Sequence, residues 1–135
     1  MNEMLHTIWQ MHILTTTCCT FSFTDAPSIS VIGVTFDQNE ATRTLTCVPD
    51  GNPQTYTYYQ WGHKSKYGVL IRELDGGLNG VLTLPTMPVE DGYQDSGEYV
   101  CTAGNDIVGR DGWIEQTGSD YVKINVCKTD RIWLC

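Results

Sequence analysis

Asp95-Ser96-Gly97-Glu98-Tyr99-Val100-Cys101 sets a turn, a tyrosine and a cysteine in the order D-x-G-x-Y-x-C. Asp, Ser and Gly favour a turn because their side chains, or the lack of one, stabilise tight backbone conformations. The residues that follow suit a strand. Successive strand side chains point to opposite faces, so Tyr99, Cys101 and Ala103 share one face, pointing inward, and Glu98, Val100 and Thr102 share the other. Upstream, Leu45-Thr46-Cys47 closes a second alternating run, and Trp61 follows fourteen positions after Cys47.

The remaining sequence agrees with an all-β chain. At 135 residues it can bury one core, and its many Thr, Tyr, Val and Gly residues favour strands and turns over helices. No apolar stripe of period 3.6 occurs. Strand candidates are residues 28–36, 41–49, 55–61, 67–72, 81–86, 97–103 and 121–126. Asp75-Gly76-Gly77 and Asn79-Gly80 supply turn chemistry between two of them. In the last strand Val122, Ile124 and Val126 alternate with Tyr121, Lys123 and Asn125, the pattern of a half-buried strand.

The series Cys47, Trp61, Tyr99, Cys101, together with the D-x-G-x-Y-x-C motif, resembles the immunoglobulin superfamily over about Pro27 to Val126. Leu45-Thr46-Cys47 with Glu40 upstream looks like that family's B strand and Gly51-Asn52-Pro53 like its B–C turn. Cys101-Thr102-Ala103-Gly104-Asn105 followed by Gly109 looks like the C-x-A-x-N-x-x-G signature of I-set and C2-like domains of adhesion molecules and receptors. The resemblance implies a two-sheet antiparallel Greek-key β-sandwich with an intersheet disulfide between Cys47 and Cys101. It also implies that Trp61 packs on the sulfurs, that Tyr99 fills a tyrosine corner, and that Asp95 and Gly97 form the turn before strand F. Closing so long a loop removes roughly 4 kcal/mol of unfolded-state freedom.

Three departures carry expectations of their own. Arg43 has the inward parity of Leu45 and Cys47, so its stem is expected to snorkel out of the sandwich end. Pro85 to Gln94 is longer than an E–F corner needs, and a bulged or looped corner is expected there. Gly104 to Ser119 is much longer than an ordinary F–G hairpin.

A net charge of −8 argues against nucleic acid, whose phosphates need clustered Lys and Arg. Six cysteines in a short chain suggest an oxidising compartment. The resemblance uses two, leaving the pairing of Cys18, Cys19, Cys127 and Cys135 open. No C-x-x-C occurs and His6, His12 and His63 lack ligand spacing, so no metal or other cofactor is expected. Residues 1–24 form a leader-like segment, uncharged from Met4 to Thr24 yet with Glu3 where a signal peptide carries basic residues. Residues 25–126 are the immunoglobulin-like unit. Residues 127–135 are a tail whose Lys128, Asp130 and Arg131 do not suit a membrane helix, so no membrane anchor is expected within this chain. No Asn-x-Ser/Thr sequon occurs.

No G-x-S-x-G, H-E-x-x-H or phosphate-cradling loop occurs, and of the acidic group that could suggest an acid/base pair or a Ca²⁺ site, Asp95 is expected to be a turn residue and Glu90, Asp91 and Glu98 a solvated corner. Catalysis is therefore not expected. The resemblance implies an extracellular recognition module, secreted or part of an ectodomain, that binds a protein ligand or a second copy of itself through a sheet face or loop end. A spacer module of a matrix or filament protein and a secreted immune effector or decoy are the alternatives. Arg110, Trp113 and Ile114 in the F–G segment are the candidate contact residues, since Trp and Arg are enriched at interface hot spots. The competing expectation is that Trp113 and Ile114 fold back onto the following strand to hide apolar surface.

Overall fold

The structure, a computed structural model, describes residues 23–125. Nearly all of the leader-like segment 1–24, with Cys18, Cys19, His6 and His12, and the tail 127–135, with Cys127 and Cys135, lie outside the described residues.

The described residues form two facing sheets. One holds β1 (Asp25–Ile32), β3 (Thr44–Asn52) and β7 (Val81–Thr83) in the order β1-β3-β7. The other holds β2 (Thr35–Asp37), β9 (Gln116–Asn125), β8 (Gly97–Gly104), β5 (Trp61–Lys64) and β6 (Leu70–Leu74) in the order β2-β9-β8-β5-β6, with the short β4 (Thr57–Tyr58) also beside β8. Every pairing is antiparallel except β2 with β9, which is parallel. This is a β-sandwich.

Alternation builds its core. Leu45 and Cys47 of β3, Tyr99, Cys101 and Ala103 of β8, and Val122 and Ile124 of β9 turn inward and are buried with Val31, Phe36, Trp61, Leu82 and Leu84. Cys47 and Cys101 form a disulfide, their Cα atoms 5.9 Å apart. It joins β3, the middle strand of one sheet, to β8, inside the other. Trp61 belongs to the same cluster and is 1% exposed. Tyr99 donates its hydroxyl proton to the Asp95 carbonyl at 2.9 Å, the bond expected of a tyrosine corner.

Several boundaries differ from the sequence expectation. The candidate strand 28–36 is two strands in different sheets: β1 pairs with β3, and after Gly33 and Val34 the chain crosses to run beside β9. Trp61 opens β5 rather than ending a strand. From Tyr58 to Gly62 is four steps on one strand, whereas their partners Ala103 and Val100 are three apart, so the extra residue makes a bulge. The last strand begins at Gln116, not Tyr121, so the loop after β8 is residues 105–115. Residues 89–95 of the corner are a 3₁₀ helix, Val89–Asp95, rather than an irregular bulge.

One polar expectation is overturned. Arg43 does not reach solvent, being 4% exposed, and Asp95, the turn residue before β8, is fully buried with it. The reason is that the segment Pro85–Asp95 folds over this end of the sandwich and supplies Arg43 with partners. Arg43 Nη2 donates to the Pro85 carbonyl at 3.1 Å and Nη1 lies 2.6 Å from Asp95 Oδ2.

Trp61→Ala should lower stability by about 3–5 kcal/mol, because the indole is enclosed and the cavity cannot fully collapse. Urea unfolding with the disulfide intact measures it. A loss under 1 kcal/mol would place the indole outside the core.

Candidate functional site

The loop between β8 and β9 is built on a buried asparagine. Asn105 is 3% exposed, and its side-chain NH₂ donates to the carbonyls of Asp25 at 2.7 Å and Pro53 at 3.0 Å. Its Oδ1 accepts the Ile107 N–H at 3.3 Å. One carboxamide thus ties the loop root to the start of β1 and to the turn after β3.

The tip is held by its own backbone. Gly109 N–H donates to the Trp113 carbonyl at 2.8 Å, and Gly112 N–H to the Gly109 carbonyl at 3.0 Å. Gly112 has φ +85°, a left-handed conformation that costs other residues energy but not glycine. Asp111 Oδ1 accepts from Trp113 N–H and from Gln116 Nε2, both at 3.0 Å. These bonds, Gln116 first, hold the exposed Asp111 carboxyl below its ordinary range. Gln116 Nε2 also donates to the Trp113 carbonyl at 2.8 Å.

This internally bonded tip presents apolar groups to solvent. Trp113 is 71% exposed, so it does not fold back onto β9. Ile114 is 42% exposed and its Cγ2 lies against Gly104, which makes it part support and part surface. Arg110 is exposed and lines an open cleft of about 470 Å³ between the loop and the start of β1, with Asp25, Pro27, Ile107, Val108 and Gln116. Arg110, Trp113 and Ile114 are therefore all exposed on one loop, and of the three the cleft takes in Arg110.

The motif residues at the opposite end of β8 form a charged cluster inside the protein. Asp95 lies between two guanidinium groups, Arg43 Nη1 at 2.6 Å from Oδ2 and Arg72 Nη2 at 2.5 Å from Oδ1. Arg72 Nε donates to His63 Nδ1 at 3.1 Å, and the other ring nitrogen of His63 donates to the Ser96 carbonyl at 3.1 Å. The imidazole stacks on Tyr99, centroids 4.3 Å apart. Gly97, at φ +148°, lets the backbone approach this ring, since a Cβ there would meet the Lys64 carbonyl and His63 Nε2. Burial works most strongly against the Arg72 charge, but its interactions with Asp95 and Tyr99 together outweigh it and hold the guanidinium above its ordinary range. Burial pushes the Tyr99 hydroxyl up to about 12, with Arg72 opposing.

Sequence reasoning named Asp95, Gly97 and Tyr99 but missed His63 and Arg72. The signal for His63 was its parity with Trp61 two residues earlier. A second apolar surface was also missed: Val69, Leu70 and Ile71 are all more than half exposed on and beside the edge strand β6, and Tyr121 is 48% exposed on β9. The unbroken apolar run at 69–71 was its signal.

Asp95→Ala should cost about 3–5 kcal/mol, because it strands a buried guanidinium. Adding Arg43→Met to Asp95→Ala should recover part of that loss, which a double-mutant cycle in urea would read as non-additivity. Strict additivity would mean that the two side chains do not interact.

No protein-family model matches the chain and no curated protein matches it.

Proposed function

We propose that this chain is an immunoglobulin-like module of the extracellular recognition type, which binds a protein partner through the loop 105–115 and does not turn over a substrate. The observation that carries the reading is Trp113, 71% exposed on a loop whose shape is fixed by its own hydrogen bonds. An indole is a large apolar surface available to a partner, and a loop already ordered loses little entropy on binding. Trp and Arg are the residue types that dominate interface energetics, and the loop exposes one of each.

Other features support the same reading. The strand order, the intersheet disulfide and the Tyr99 corner agree with the immunoglobulin superfamily, to which the motif residues point. The disulfide suits an oxidising, extracellular setting. Asp95, the carboxylate with the most unusual surroundings, is sealed from solvent and paired with two arginines, which leaves no approach for a substrate.

The test is to display the protein multivalently to an array of cell-surface ectodomains, beside Trp113→Ala and Leu70→Asp variants. Trp113→Ala should weaken capture of a binding partner by more than about 1 kcal/mol while moving stability by less than about 0.5 kcal/mol. Binding insensitive to Trp113→Ala but abolished by Leu70→Asp would move the site to the outer sheet face. A large stability loss with unchanged affinity would assign the indole to packing.

A further inference from the structure

His63 joins three parts of the molecule. It lies on β5 and is fully buried. Its Nδ1 accepts from Arg72 on β6, and its Nε2 donates to the Ser96 carbonyl, next to the 3₁₀ helix Val89–Asp95. These partners fix the neutral tautomer with its proton on Nε2. The ladder between β5 and β6 is irregular at this point: His63 opposes Arg72 and Lys64 opposes Leu70, so Ile71 is an extra residue. Among the described residues β6 is also the edge of its sheet. The Arg72–His63 and Arg72–Asp95 contacts are side-chain bonds added where the backbone pairing is interrupted.

We propose that His63, Arg72, Asp95 and the Ser96 carbonyl form an acid-released latch, which holds the edge strand β6 and the 3₁₀ corner to the sheet while the imidazole is neutral and lets them open when it takes up a proton. The proton goes to Nδ1, the one basic lone pair of the neutral ring, in place of the Arg72 hydrogen bond. That nitrogen then faces Arg72 Nε as donor against donor, and their hydrogen bond is lost.

The net charge around the ring works in the same direction. From β6 comes Arg72. Asp95 comes from the 3₁₀ helix, and Arg43, just before β3, reaches the site through Asp95. The Tyr99 ring of β8 stacks on the imidazole but carries no charge at neutral pH. Two guanidinium groups against one carboxylate leave a net positive cluster, and an imidazolium adds a further positive charge in a buried site. Burial chiefly keeps the ring neutral below its ordinary value of 6.5, with Arg72 helping and the Ser96 carbonyl and Asp95 opposing.

The dependence on pH follows. Above 6.5 the ring is neutral whether the chain is folded or open, and this group adds no slope. Below it, the open form takes up the proton and the closed form does not. The opening constant then rises by up to about tenfold for each pH unit, until the closed form is protonated as well.

The experiment follows the full-length chain from pH 7.5 to 5.0, beside His63→Gln, whose amide can keep one donor and one acceptor without titrating. Hydrogen exchange, corrected for intrinsic rates, should show residues 70–74 and 89–96 opening about tenfold more often at the low end in the parent than in the variant. The strands β3 and β9 should change less. His6 and His12 are present in both proteins and cancel. Equal pH dependence in parent and variant would overturn the proposal. If His63→Gln does not fold, nitrogen NMR of the parent's His63 ring decides. The latch requires the Nε2–H tautomer at pH 7.5 and loss of the Arg72 Nε–H signal's protection as the ring titrates. A ring that titrates with Arg72 unaffected would exclude it.

Discussion

Asp95 sits at 0% exposure between Arg43 and Arg72, and its contacts join segments far apart in the chain. Arg43 precedes β3 in one sheet, Arg72 belongs to β6 in the other, and Asp95 closes the corner that leads into β8. A buried ion pair adds little net stability, because removing charges from water costs several kcal/mol per ion. Its contribution is placement. Any arrangement of the corner that moves Asp95 away leaves two guanidinium groups in the sandwich end without a carboxylate, so the 3₁₀ helix has one position in which those charges are met. The Asp95 backbone is fixed as well, because its carbonyl accepts the Tyr99 hydroxyl.

The parts of the fold legible in the sequence are those set by parity along single strands. Tyr99, Cys101 and Ala103 point inward because a strand alternates, and Val122 and Ile124 do so for the same reason. The strand breaks were less legible. Whether residues 28–36 make one strand or two depends on which sheet each half joins, a choice made by β3 and β9 and not by local composition. The early start of β9 was hidden because Gln116-Thr117-Gly118-Ser119 is polar, and its pairing comes from β8 alone. Arg43 was misread for a related reason. A charged residue in isolation suits solvent, and only a partner many positions away makes its burial tolerable.

The candidate loop shows the same division. Arg110, Trp113 and Ile114 were visible as residue types suited to contact, but their exposure was not, since an apolar loop can equally well fold inward. Exposure is decided by Asp111, Gly109, Gly112 and Gln116, whose bonds close the tip on itself and leave the indole outside. Those are short-range polar contacts between residues that look like ordinary loop composition.

The two polar centres lie at opposite ends of one strand. Asp95 precedes β8 and Asn105 follows it, and eight strand residues between them span roughly 26 Å at 3.3 Å each. The disulfide at Cys101 fixes the strand partway along. At the loop end, Asn105 is bonded to Asp25 and Pro53, neither of which belongs to β6 or to the 3₁₀ corner. A change that frees the corner therefore breaks no hydrogen bond that shapes the loop. The outer face near β6 is different. Leu70 lies on the released strand, close to Gly62, so a partner seated on that face would feel acid directly, whereas one held by Trp113 would feel it only through overall stability.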